Sequence, residues 1–218
     1  MKNSLAFAAS AVLIAAVALG LWAAPREPAT VKIVRDDLVM VVTLDNGTKL
    51  KVTTKGTPLA AGTHFVKSVQ FYKKDEKGRV WELRSTDRLG GIKAITCSSG
   101  QEKILDPGPP IVWHLWAKRG EGASADKVNI NISAVGQYNA VYYNAAYLGR
   151  KHGPPPVLRL VGEDGKVLYT AQFPFGGSVR HTWQIPAGFK GKYKVDIQPT
   201  LGPFKWKNNR EGHFFEVE

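Results

Sequence analysis

The sequence predicts an all-β protein: two small β domains behind an N-terminal export signal or anchor helix. Three observations predict it. From residue 28 onward, apolar and polar residues alternate with a period of two, the mark of strands with one dry and one wet face. Clusters of Gly, Asn, Asp and Pro interrupt the alternation, as hairpin turns require. The one long run without alternation, Leu5–Ala24, is uncharged and sits ahead of every turn signal.

That run follows a positively charged "MKNS" and counts 20 residues, enough to cross a bilayer. It is rich in alanine, and a small-x-small site at Ala18–Gly20 offers a cleavage point behind an apolar stretch. Residues 1–24 are therefore expected to be a signal peptide, with a mature N-terminus near Leu21, or a retained membrane anchor. No cysteine follows the site, so no lipid attachment is expected. Either way the rest of the chain is expected to work outside the cytoplasm: periplasmic, extracellular, or anchored and facing outward.

Hydrophobic residues make up 44%, enough to bury a core, and charged ones 22%, too few for wholesale disorder. Thirty Lys and Arg against eighteen Asp and Glu give +12, which favours nucleic acid, anionic lipid or acidic polysaccharide as partners. The lysines are scattered, however, as they are where they solubilise strand faces. The single Cys97 excludes an intrachain disulfide and, in "GIKAITC", reads as a small buried apolar residue.

In chain order, "LVMVVTLDNGTKLKVTT" is a hairpin, with Asn46-Gly47 read as a type I′ turn. "THFVKSVQFYKKDEKGRVWELRS" is a second, with Phe65, Val69, Phe71, Trp81 and Leu83 facing in. "GIKAITC" and "EKILD" are two short strands. "DPGPP", Asp106–Pro110, cannot sit in a strand ladder and marks a boundary, giving domains at 28–106 and 107–218. The second domain counts seven strands: "IVWHLWAK", "KVNINIS", "VLRLVG", "KVLYTAQF", "HTWQI", "YKVDIQ" and "FFEVE".

The sixth of these starts at Tyr193, two residues ahead of Val195 and just after Pro186, Gly188 and Gly191. Seven strands and a tyrosine so placed resemble the immunoglobulin-like β-sandwich in its disulfide-free form, with Val195 where a cysteine is usual and Trp183 on the preceding strand. The resemblance covers roughly residues 107–218. It implies an antiparallel sandwich and a Tyr193 hydroxyl bonded to backbone around Pro186–Phe189, and it fixes no function. "GTHFVKSVQFY", "RVWEL", "PAGFKGKYKV" and "LGPFK" also resemble segments of uncharacterised exported bacterial β-rich proteins. That implies export and carries no catalytic residue across.

Motifs for chemistry are missing. There is no G-x-S-x-G and no P-loop. Gly120–Ala125 matches G-x-G-x-x-A, but a strand follows where a dinucleotide site needs a helix. His64, His114, His152, His181 and His213 are too far apart for a local metal motif, and none lies in H-E-x-x-H. No catalytic residue, cofactor, metal or specific nucleic-acid recognition is expected, and membrane contact only through residues 5–24 if they are retained.

Binding residues are easier to nominate. Gly136–Pro156 is too long for a simple connection, and its Tyr138, Tyr142, Tyr143, Tyr147, Asn139 and Asn144 suit an adaptable contact surface. Alternatively, Tyr142 or Tyr143 extends a sheet as an eighth strand. Trp116 alternates out of phase with Trp113 and Leu115, so it meets either a ligand or the neighbouring domain. Trp206 stands among Lys205, Lys207 and Arg210, which with Arg150 and Lys151 form a candidate basic patch. The expected function is a non-enzymatic binding or structural module of the cell envelope, contacting a polymer such as carbohydrate, or another protein. The alternative is a carbohydrate-active hydrolase whose carboxylate pair no motif marks.

Overall fold

The computed structural model describes residues 27–208 and 214–217. The expected export segment lies outside these residues, as does Arg210. The described residues form nineteen strands and three single-turn 3₁₀ segments, and none of their helices is long and apolar enough to cross a membrane. The protein is all-β.

The first half contains β1 Ala29–Lys32, β2 Val39–Leu44, β3 Lys49–Val52, β4 Thr57–Leu59, β5 Gly62–Lys74, β6 Val80–Arg84, β7 Ala94–Cys97 and β8 Glu102–Ile104. The second contains β9 Ile111–Arg119, β10 Lys127–Val135, β11 Val141–Tyr142, β12 Tyr147–Leu148, β13 Lys151–His152, β14 Val157–Gly162, β15 Val167–Gln172, β16 Ser178–Gln184, β17 Gly191–Gln198, β18 Trp206–Asn208 and β19 Phe214–Val217.

Three hairpins share one loop. Between Leu44 and Thr48, Asp75 and Arg79, and Gly162 and Lys166, a glycine closes a three-residue loop at φ 85°, 74° and 78°. In each, a side-chain carbonyl or carboxylate oxygen of Asn46, Asp75 or Asp164 accepts a nearby backbone N–H at 3.0 Å. This is a type I turn ending in a left-handed glycine. The type I′ expectation at Asn46-Gly47 is corrected, because Asn46 is not at positive φ.

β2, β3, β5, β6, β7, β12 and β13 form one sheet, ordered β13–β12–β6–β5–β2–β3 with β7 on β5. Its inner face buries Met40, Val42, Leu50, Val52, Val69, Phe71 and Leu83. Phe65 departs from expectation and is 61% exposed. The register slips where Leu44 meets Val66, and a one-residue slip reverses which side chains face in. Val66 takes the inward place. β4–β1–β8 form a small separate sheet.

All seven strands expected in the second half are present, in two sheets. One is β11–β10–β9–β18 with β16 also on β10, and the other is β15–β14–β17–β19. Trp113, Leu115, Ile130, Ile132 and Trp183 of the first, and Leu158, Leu160, Tyr193, Val195 and Ile197 of the second, are buried in one core. Trp183 meets Tyr193 edge-on at 5.2 Å, and Tyr193 stacks on Phe215 at 5.7 Å. Burial pushes the Tyr193 hydroxyl pKa up to about 12. No hydrogen bond joins that hydroxyl to Pro186–Phe189; the turn closes on itself, Phe189 N–H donating to Pro186 O at 3.0 Å.

A second link between these sheets is titratable. Tyr169 Oη on β15 and His181 Nε2 on β16 lie 2.9 Å apart. Burial lowers the His181 pKa. Its folded value thus lies below the unfolded value of about 6.5, and the unfolded chain binds the extra proton. The resulting stability is full above pH ~6.5 and is lost as pH falls toward the folded pKa. The unfolding midpoint is expected to drop between pH 7.5 and pH 5.5, and to drop less in His181→Gln. Equal slopes in the two proteins would remove His181 as the cause.

The long connection Gly136–Pro156 does not stay with its own half. β12 pairs with β6, Tyr147 opposite Glu82 and Leu148 opposite Trp81. Backbone N–H groups of Val141 and Tyr143 donate to Arg88 O and Arg84 O, and Thr86 N–H donates to Val141 O. The second half thereby completes the main sheet of the first.

Candidate functional site

The nominated residues of the connection divide into interior and surface. Tyr142 and Asn144 are both 0% exposed, so neither can touch a ligand. Tyr142 extends the β10 edge and donates from Oη to Pro107 O at 3.0 Å; burial raises its pKa. Asn144 Nδ2 donates to Pro174 O at 2.8 Å, and its Oδ1 accepts the Gly176 N–H at 3.1 Å. Buried polar groups with both ends satisfied are structural. Tyr138 and Asn139 stay exposed in a tight turn at φ 56° and 58°. There the Tyr138 carbonyl lies so close to Gly90 that a Cβ on Gly90 would stand 2.3 Å from it.

Tyr143 and Tyr147 do come together, through partners outside the nominated set. His152, Phe175 and Tyr143 form a stacked column with ring centroids 4.2 and 4.8 Å apart. Tyr147 stands edge-on to Phe175 and His152 at 6.0 and 5.9 Å. The Arg84 guanidinium lies 3.8 Å from the Tyr147 ring centroid, within cation–π range. Arg84 donates from Nε and Nη2 to both Glu82 oxygens at 2.6 and 2.9 Å. This pair raises the Arg84 pKa. Burial, and then the Glu82 charge, raises that of Tyr72.

Sheet register explains why these groups meet. Val39, Tyr72, Glu82, Tyr147 and His152 are successive cross-strand partners over five strands. They share the outer face of the main sheet, a row spanning about 19 Å at the ~4.8 Å strand spacing. At one end the row opens into a 640 Å³ groove lined by Val39, Val41, Tyr72 and Val80, with Lys51 and Lys74 among its charges. At the other, Tyr143 lines a 260 Å³ pocket between the halves, with Thr86, Asp87, Arg88 and Ser178.

The remaining nominees lie elsewhere. Trp116 is 50% exposed on the outer face of β9. Trp206 is 45% exposed but pairs with the inward Ile111, whereas Lys207 pairs with the outward Val112. The tryptophan and Lys207 therefore occupy opposite faces. Arg150 and Lys151 are exposed on the β12–β13 hairpin, and Lys205 is exposed just before β18. Among the described residues, no group of three His, Cys, Asp or Glu side chains is placed to hold a metal ion.

Sequence reasoning missed Phe175, Arg84, Arg88 and the partnership of His152. One signal was available. Phe175 stands between Pro174 and Gly176-Gly177, an aromatic in a turn with no strand to pack it. Comparison with family models, with curated proteins and with solved structures found no match to this chain.

Proposed function

We propose that the protein is an exported, non-enzymatic binding module of the cell envelope that holds a carbohydrate polymer at the aromatic corner. The observation that carries this is the ring column His152–Phe175–Tyr143 with Tyr147 fixed across it by the Arg84–Glu82 pair. Aromatic surface combined with a few fixed polar groups is how ligand sites are built. Here the polar groups are Arg84, held in place by the buried Glu82, and Thr86 and Arg88 in the adjoining pocket. A row of about 19 Å across strands at the usual spacing suits an extended chain.

Two parts of the reading have further support. Export rests on the uncharged run Leu5–Ala24 after a basic start. The immunoglobulin-like reading of residues 107–218 is supported by strand order, β9–β10–β16 in one sheet facing β15–β14–β17–β19 in the other.

A polysaccharide array probed with the purified protein tests the function. Retention without released sugar is expected; released sugar would replace the module by the hydrolase. Tyr147→Ala should weaken retention about tenfold or more, as loss of an aromatic anchor does, while Tyr138→Ala, in a separate turn, should not. A Tyr147→Ala protein retained like wild type would sink the assignment of the corner.

A further inference from the structure

The sheet face that carries Trp116 is built differently from the aromatic corner, and we propose that it binds an acidic polysaccharide through its uronate carboxylates. Register across β9, β10 and β16 aligns three rows on the outer face: His114–Ser133–Ser178, Trp116–Asn131–Arg180 and Lys118–Asn129–Thr182. The inward residues between them, Trp113, Leu115, Ile130, Ile132 and Trp183, fill the core, so these rows face outward. Trp116 is 50% exposed, with His114 beside it at 5.9 Å. Trp116 therefore keeps half of its surface open to solvent.

Each row supplies part of what a uronate chain needs. The indole offers a flat apolar surface to the C–H face of a sugar ring. Asn129, Asn131, Ser178 and Thr182 supply amides and hydroxyls, which can both donate to and accept from sugar hydroxyls, while the buried Ser133 only braces Ser178. Several are already set by their neighbours: Thr182 Oγ1 donates to Asn129 Oδ1 at 3.0 Å, Ser133 and Ser178 hydroxyls lie 2.7 Å apart, and Arg88 Nη1 donates to Ser178 Oγ at 3.3 Å. Fixed groups lose less entropy on binding. Arg180 is exposed in line with Trp116, about 10 Å away over two strand spacings. Its guanidinium fork matches a carboxylate.

Charge decides the ligand's sign. The nine positions include Lys118 and Arg180 and no carboxylate. Glu121 pairs with Lys118 at 3.2 Å beyond the strand end, and Asp126 accepts Gln184 Nε2 at 2.6 Å. An anion approaching Arg180 meets no acidic side chain in these rows, and the chain's overall +12 steers anions toward the protein. Geometry decides between anionic polymers. A single-stranded nucleic acid is held by successive stacking platforms along a basic groove, and Trp116 is the one exposed ring in these rows. Hydroxyl and amide groups dominate instead.

Calorimetric titration with polygalacturonate tests the proposal, with neutral β-glucan and a poly-dT oligonucleotide as comparison probes. Wild type is expected to bind polygalacturonate and to prefer it over both others. Trp116→Ala should weaken that binding about tenfold or more, in the range of a lost stacking platform. Arg180→Ser should weaken it about threefold or more and flatten its salt dependence, because one cation no longer displaces counterions. Arg180 is exposed, so this second variant decides the matter if Trp116→Ala fails to fold. Tyr147→Ala, on the other sheet, should keep wild-type affinity for polygalacturonate, so the inference stands or falls apart from the aromatic corner. Failure to bind polygalacturonate, equal affinity for neutral glucan, tighter binding of poly-dT, wild-type affinity in Arg180→Ser, or loss only in Tyr147→Ala would each overturn it.

Discussion

Replacing Tyr142 by alanine is expected to cost about 3–5 kcal/mol, the range for a large aromatic removed from a core. Tyr142 is fully buried and lies at the seam between the two halves. Its ring packs against Phe71 of the first half at 6.1 Å, and its hydroxyl is bonded to Pro107 O in the linking segment. The surroundings leave no slack. A Cβ on Gly136 would stand 2.7 Å from the Tyr142 ring, and one on Gly108 would stand 2.6 Å from the Phe71 ring. A cavity here would be lined by backbone fixed in both halves, so collapse is limited and the cost lies in the upper part of the range. For a chain of this size the midpoint should fall by roughly 10 °C. Tyr142→Phe keeps the packing but strands the Pro107 carbonyl, a cost of about 1–3 kcal/mol. Urea unfolding followed by tryptophan fluorescence and by far-UV circular dichroism checks both values. A loss below about 1 kcal/mol in the alanine variant would show that the seam is held by something else.

The strands were legible because each has one wet face. Val128, Ile130 and Ile132 are buried while Asn129 and Asn131 are not, and that contrast is written directly in "KVNINIS". Strands outside this rule leave no such mark. β12 and β13 are two residues each, too short for any period, and exist because β6 offers an edge to pair with. β18 is three residues, held in parallel beside β9. Phe65 departs from its pattern for a different reason: alternation read from sequence assumes an unbroken register, and the slip opposite Leu44 breaks it.

The candidate site was legible only in part, and the reason is distance along the chain. Tyr143 and Tyr147 stood out by composition, but the column needs Phe175, 32 residues beyond Tyr143 in contact with it. Arg84 belongs to another half of the sequence. In sequence Tyr142 and Asn144 read like their neighbours, because a tyrosine or asparagine in a long connection looks the same whether it meets solvent or anchors the connection. Only the partners tell them apart: Pro107 O for one, Pro174 O and the Gly176 N–H for the other.

Asn144→Ala is expected to lower stability by about 2–6 kcal/mol, since it strands two backbone groups at roughly 1–3 kcal/mol each, and to weaken ligand retention at the aromatic corner as well. Asn144 is 0% exposed and holds the residues on both sides of Phe175, the middle ring of the column. Its own backbone N–H also donates to Gly176 O at 2.8 Å, so the main-chain link survives while the side-chain brace is lost. Phe175 should then move away from Tyr143 and His152. Asn144→Asp separates the brace from the bulk of the side chain. The introduced carboxylate accepts from Gly176 N–H, but it cannot donate to Pro174 O and is charged in a site closed to solvent. Burial raises its folded pKa above the unfolded value of about 3.9. A group so raised favours the folded state only while protonated, and a protonated carboxyl can donate to Pro174 O as the amide does. The deficit of Asn144→Asp relative to wild type should therefore be small near pH 4, grow as pH rises above the unfolded pKa, and level off above the folded one. Paired denaturation curves of wild type and Asn144→Asp at pH 4, 6 and 8 measure this. A deficit that does not grow across that interval would mean that Asn144 braces Phe175 by shape alone, without the hydrogen bond to Pro174.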